Sequence, residues 1–201
     1  MKKIVYIVMT CVLFFGCKDS GVDSKSFSSG KEVSSEIQEL SQSMDKKSYQ
    51  GLENVFLDTG IIQTDGKYLL LVFGKNNCSY CEKLKDDLKQ SQELQNYIKE
   101  NFSPYYINIS YDKKHHFKLN INNELKEVDI MTSQLASNIY RVFSTPTVIF
   151  GDENGKTIFE IPGYISKDKF LKVLELVVSR KWEKVEDVKK RSEMLQDILR
   201  G

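Results

Sequence analysis

From Tyr68 to Cys81 the chain reads YLLLVFGKNNCSYC. Its first six residues form a continuous apolar run, the pattern of a strand buried on both faces. The run reaches Gly74. A helix is predicted from near Cys78 to about Phe102, with Leu84, Leu88, Leu94, Tyr97 and Ile98 on its apolar side and a break near Ser91. Cys78 and Cys81 therefore fall where a buried strand turns into a helix. Free N–H groups and the dipole at a helix N-terminus favour a thiolate at Cys78. Cys81 lies one helical turn on, placed to attack a mixed disulfide formed at Cys78. Lys75 adds positive potential upstream. The spacing alone also admits a structural disulfide or half of a metal site. A structural zinc site usually needs four ligands, and there is no second CxxC. His115 and His116 are adjacent, so a hairpin would point them to opposite faces. They are read as exposed residues, and no metal is expected.

Downstream, Pro104 precedes a predicted strand, Tyr105 to Ile109. Alternation through Phe117, Leu119 and Ile121, then Leu125 and Val128, predicts a hairpin turning at Asn122-Asn123. Leu135, Ile139 and Val142 have helical spacing. Ser144-Thr145-Pro146-Thr147 leads into a strand, TVIF, and proline there marks a strand start or a cis bond. The turn DENGK (152–156) joins TVIF to its hairpin partner TIFEI (157–161). Ser166 is placed to cap a helix from Lys167 to about Ser179. A last helical segment, 181–200, carries Trp182 and is expected to pack onto the domain. Upstream, Ile37, Leu40 and Met44 suggest a short helix. GLENVFLD (51–58) reads as extended or turn, and a strand with a turn at Asp65-Gly66 precedes Tyr68. The order β-α-β, hairpin, α-β-β-α implies an α/β fold, a mixed sheet covered by helices. Tyr68 and Phe73 are assigned to the core. Tyr80 is assigned to the surface, where it can contact a substrate.

The chain has 201 residues and 23.2 kDa, enough for one domain with extensions and a core that needs no disulfide scaffold. A net charge of +1 argues against a generally basic nucleic-acid binder, and a mean hydropathy of -0.39 excludes a polytopic membrane protein. The first residues, MKKIVYIVMTCVLFFGC, join two lysines to an apolar run from Ile4 to Gly16. As helix that run spans roughly 20 Å, short of the ~30 Å hydrocarbon core, so it reads as an export signal. Gly16-Cys17 resembles a bacterial lipoprotein signal, in which Cys17 becomes the lipidated first residue; a plain cleaved signal and an uncleaved anchor are the competing readings. Lys18 to Ser35 is a Ser/Gly/Lys tether. The expected organisation is a signal at 1–16, a tether at 17–35, the domain at 36–180 and a helical extension at 181–201. Removing Lys2 and Lys3 with the signal turns the charge of +1 into −1. On the lipoprotein reading, of the four cysteines Cys11 would leave with the signal and Cys17 would carry lipid, which leaves Cys78 and Cys81 in an oxidising compartment.

Taken together, YLLLVFGKNNCSYC, YYINI, STPTVIF, DENGKTIFEI and Pro162-Gly163-Tyr164 resemble the thioredoxin superfamily over about residues 52–180. The likeness is greatest to exported thioredoxin-like proteins of the SoxW type. The resemblance implies a thioredoxin-like fold with an extra C-terminal helix. It implies that Cys78 is the attacking thiolate and Cys81 the resolving thiol. It further implies that Pro146 is cis beside the pair, that Thr145 offers backbone hydrogen bonds to an extended substrate, and that Gly163 lends a flexible backbone nearby. Three positions depart from thioredoxin: Asn77 replaces a Trp, Ser79-Tyr80 replaces Gly-Pro, and Val72 replaces a buried Asp. The expected function is a periplasmic, lipid-tethered thiol–disulfide oxidoreductase needing no cofactor beyond its cysteine pair. Its expected partners are exported proteins with disulfides or thiols and a membrane electron-transfer thiol protein as reductant, with no nucleic acid. Disulfide oxidation or isomerisation, and copper carriage on two thiolates, are the competing readings.

Overall fold

The computed structural model describes residues 35–121 and 124–201. The predicted signal, Cys17, the tether up to residue 34 and the turn at Asn122-Asn123 lie outside the described residues. Among the described residues, no helix is long and apolar enough to cross a membrane.

The run at Tyr68 is strand β2 (Tyr68–Gly74), buried along its whole length. It lies inside a four-stranded mixed sheet ordered β3-β2-β6-β7, with β3 at Phe102–Asn108, β6 at Thr147–Gly151 and β7 at Thr157–Pro162. β2 runs parallel to β3 and antiparallel to β6, and β6 is antiparallel to β7. Its side chains alternate between two cores. Tyr68, Leu70 and Val72 face one, with Phe102, Tyr106, Val148 and Phe150. Leu69, Leu71 and Phe73 face the other, with Tyr105, Ile107 and Ile149. A strand covered on both sides has no polar face, and this explains the unbroken apolar run.

The first core is closed by α2 (Ser79–Lys89), α3 (Gln92–Asn101), α5 (Lys167–Val178) and α6 (Val188–Arg200). The predicted break is real: Ser91 is the N-cap of α3, and its hydroxyl accepts from the Leu94 N–H at 3.3 Å. The second core is covered by a small sheet, β1 (Ile61–Gln63), β4 (Lys114–Ile121) and β5 (Glu124–Met131), together with Leu135 and Ala136, which follow a short α4 (Thr132–Gln134). β1 and β4 pair in parallel, and β4 and β5 form the expected antiparallel hairpin. Helix α1 (Ser35–Lys47) precedes these elements.

Four expectations need correction. Pro104 lies inside β3, opposite Leu70, and does not precede the strand. β3 is an edge strand, and the Pro104 carbonyl faces away from β2 to accept from the Leu57 N–H. The proline nitrogen points the same way, so no ladder hydrogen bond is lost. Second, the helical spacing after Met131 gives α4 followed by a π-helical turn at Leu135–Ile139, and Ile139 is exposed. Third, the segment after Arg180 is broken. A 3-10 turn at Lys181–Lys184 buries Trp182, and Asp187 then caps α6 through the Lys189 N–H. Ser166 does precede α5, but its side chain makes no cap hydrogen bond.

Fourth, His115 is wholly buried. Its Nδ1 lies 2.7 Å from the Thr59 carbonyl oxygen and its Nε2 lies 2.8 Å from the Thr132 hydroxyl. A carbonyl only accepts, so Nδ1 carries a proton. Beside it, the buried Lys113 donates to the Thr59 hydroxyl at 2.8 Å and pairs with buried Asp45 at 3.3 Å. This network ties α1 to the β4–β5 hairpin.

Candidate functional site

Cys78 is the N-cap of α2, with extended backbone angles. The N–H of Cys81 donates to Cys78 Sγ at 3.1 Å. The two cysteines are joined as a disulfide with their Cα atoms 5.2 Å apart. Their exposure differs: Cys78 keeps 7% of its surface, and Cys81 keeps 0%. Only Cys78 can therefore be approached from outside. Once reduced, its sulfur would sit at the positive end of α2 with an N–H aimed at it, an environment that favours the thiolate.

The loop before β6 meets this sulfur. Cys78 Sγ lies 3.4 Å from the Thr145 carbonyl oxygen and 3.5 Å from the Thr145 hydroxyl. The Thr145–Pro146 peptide bond is cis. Pro146 is buried and Thr145 half-buried. The Gly163 N–H donates to the Pro146 carbonyl at 2.7 Å, so the residue after β7 fastens this loop. Gly163 has φ +94, a conformation that side-chain-bearing residues rarely adopt. Tyr80, 60% exposed, stacks on Tyr164 with ring centroids 6.0 Å apart. Lys83 Nζ sits 4.7 Å from the centre of the Tyr164 ring. The Tyr164 hydroxyl donates to Asp87. Burial and that carboxylate together push its pKa up to about 12. The structure thus brings Cys78, Cys81, Thr145, Pro146 and, through a backbone bond, Gly163 to one place. Ser79 and Tyr80 occupy the exposed first turn of α2.

The family model of the thioredoxin-like domain matches residues 55–177. This chain belongs to the thioredoxin-like family. A solved thioredoxin-fold protein from Helicobacter pylori is 49% identical, covering 78% of this chain and 96% of that chain, with a TM-score of 0.73. A thioredoxin from Thermus thermophilus is 18% identical over 57% of this chain and 76% of that chain, with a TM-score of 0.42. The exposed lipoprotein thioredoxin of Streptococcus pneumoniae is 20% identical over 55% of this chain and 84% of that chain, with a TM-score of 0.35. No curated protein matches. The thioredoxin-like fold and the CxxC cysteine pair are of the thiol–disulfide oxidoreductase kind.

Behind the pair, this thioredoxin-like protein differs from the pattern. Val72 is buried among apolar residues. The carboxylate nearest in sequence, Glu82, turns to Lys85 at 2.8 Å. Lys85 is itself largely buried, donates to the Ser48 carbonyl at 2.7 Å and lies 5.6 Å from the centre of the Tyr106 ring. Burial pushes the Tyr106 hydroxyl's pKa well up. Gly74, at the end of β2, has no room for a side chain, because a Cβ there would meet the Tyr106 hydroxyl. The sequence reading passed over the Glu82–Lys85 pair, although its i,i+3 spacing directly after the CxxC was the available signal. Asn77, where thioredoxin has a Trp, holds φ +54 in the turn before Cys78.

Proposed function

We propose that this protein is a thiol–disulfide oxidoreductase that works outside the cytoplasm, held to a membrane by lipid on Cys17, and reduces disulfides in exported proteins. The observation that carries the chemistry is the asymmetry of the pair: an approachable Cys78 at a helix N-cap beside Thr145, and a buried Cys81 behind it. The reaction balances in two steps. The Cys78 thiolate attacks one sulfur of a substrate disulfide, forms a mixed disulfide and expels the other substrate sulfur as a thiolate. Cys81, as its thiolate, then attacks Cys78 Sγ and expels the second substrate thiolate. Two electrons pass to the substrate, and Cys78–Cys81 is left as a disulfide. A membrane dithiol protein must then reduce it. Thr145 and the cis Pro146 loop would align an extended substrate by short β-augmentation, Gly163 would fasten that loop, and Ser79 and Tyr80 would border the substrate. The reductive direction and the SoxW-like role rest on the resemblance in sequence. The tether rests on residues 1–17, where a basic start and a short apolar run end in Gly16-Cys17.

A Cys81→Ser variant of the full chain should hold exported proteins as mixed disulfides on Cys78, released by reductant. Cys17→Ala should move the protein from the membrane to the soluble exported fraction. If nothing is trapped in Cys81→Ser beyond what a Cys78→Ser/Cys81→Ser control retains, the exchange reading fails. If Cys17→Ala leaves the protein at the membrane, the tether reading fails.

A further inference from the structure

Beside the cysteine pair, on the side of α1 and the turn after it, the surface opens into a cleft of about 610 Å³. Asn77 and Glu82, the residues that bracket Cys78 to Cys81, both line it. Four lysines line it too: Lys47, Lys75, Lys85 and Lys89. The only carboxylate in the lining is Glu82, and it is already paired with Lys85. Lys47, Lys75 and Lys89 are exposed and make no ion pair among the described residues. Glu53 is stabilised as its anion first by backbone N–H groups and only then by Lys89, and it forms no ion pair with that lysine. The loop that carries Lys75 is fixed. The Asn76 N–H donates to Ser110 Oγ at 2.9 Å, its side-chain N–H donates to the Tyr111 hydroxyl at 2.7 Å, and its side-chain Oδ1 accepts from the Asn108 side-chain amide at 2.8 Å. The result is a polar cleft with four lysines against one carboxylate, bordered by the residues on either side of the Cys78–Cys81 turn, in a chain whose overall charge is only +1. A cleft of one charge sign concentrates the opposite charge and speeds encounter more than it tightens binding.

We infer that this cleft is a specificity subsite for acidic side chains flanking a cysteine of the substrate protein. The inference rests on the thiol–disulfide exchange proposed above. It makes the favoured substrate a polypeptide disulfide bordered by Asp or Glu.

Two peptides test it, each closed by one disulfide and identical except for Glu or Gln beside the cysteines. The reduced full chain is mixed with each, and the reduction rate is followed at low salt and at about 1 M salt, where the screening length is about 3 Å. At low salt the Glu peptide should react roughly three- to tenfold faster, the scale expected of surface charge steering. That preference should vanish at high salt and in a Lys75→Gln/Lys89→Gln variant, whose melting temperature confirms its fold. Equal rates at low salt, or a preference that survives loss of both lysines, would overturn the subsite. Failure to reduce either peptide would overturn the exchange reading itself, and the subsite with it.

Discussion

The ring of His115 is wholly buried, and burial favours its neutral form. Nδ1 donates to the Thr59 carbonyl, and Nε2 lies 2.8 Å from the Thr132 hydroxyl. Burial holds its pKa below the usual 6.5, and nearby Lys113 works the same way, against the Thr59 carbonyl and Asp45. The folded state therefore resists a proton that the unfolded chain accepts below 6.5, so stability falls as pH drops through and below that value. Asp58 does not interfere. Burial opposes its ionisation, but the Gly60 N–H, Lys46, Lys113 and Gln42 outweigh it and draw the pKa to about 2. The urea midpoint should be lower at about pH 5 than at neutral pH, and His115→Gln should shrink that difference. An undiminished difference in the variant would place the pH sensitivity elsewhere. Residue identity alone did not show this burial. The partner Thr59 is 56 positions away, and a histidine in an alternating strand carries no mark of which face is covered. The cysteines were different, because their chemistry follows from a strand–helix junction written in the local sequence.

Elements were legible where local physics decides them. The unbroken run at β2 required cover on both faces, and a serine in a helical pattern marked the boundary between α2 and α3. Ser91 satisfies a helix-end N–H that would otherwise be free. Ser91→Ala should thus cost about 1 kcal/mol, read from a denaturant midpoint with an unchanged m-value. Wild-type stability in this variant would mean that the break does not depend on the cap. Elements were illegible where distant context decides them. Proline reads as a strand stopper, and only the edge position of β3 makes Pro104 harmless. The 181–200 stretch has helical spacing throughout, yet Trp182 is drawn into the core by a 3-10 turn, and Asp187 starts a separate helix. Of the candidate site, the cysteines, Thr145, Pro146 and Gly163 were read from motifs. The lysine-lined cleft was not, because Lys47, Lys75 and Lys89 come from three separate segments.

At the scale of the molecule, one sheet with two covered faces holds the N-terminus of α2 against the loop before β6. The C-terminal extension is part of that body. Trp182 is nearly buried, its indole N–H donates to the Val177 carbonyl at 2.9 Å, and Leu195 of α6 joins the same core. Trp182→Ala should cost about 3 kcal/mol or more and lower the melting temperature by several degrees. A melting temperature equal to wild type would mean that the extension is dispensable. Trp182 is also the only tryptophan, so its fluorescence reports unfolding of this region without a label. The central claim is that the whole molecule exchanges disulfides through Cys78. The direct measurement is the rate at which the reduced full chain reduces insulin, compared with its Cys78→Ser variant at matched concentration. The wild type should reduce insulin well above background, and Cys78→Ser should fall to background. A Cys78→Ser protein as active as the wild type would contradict the account.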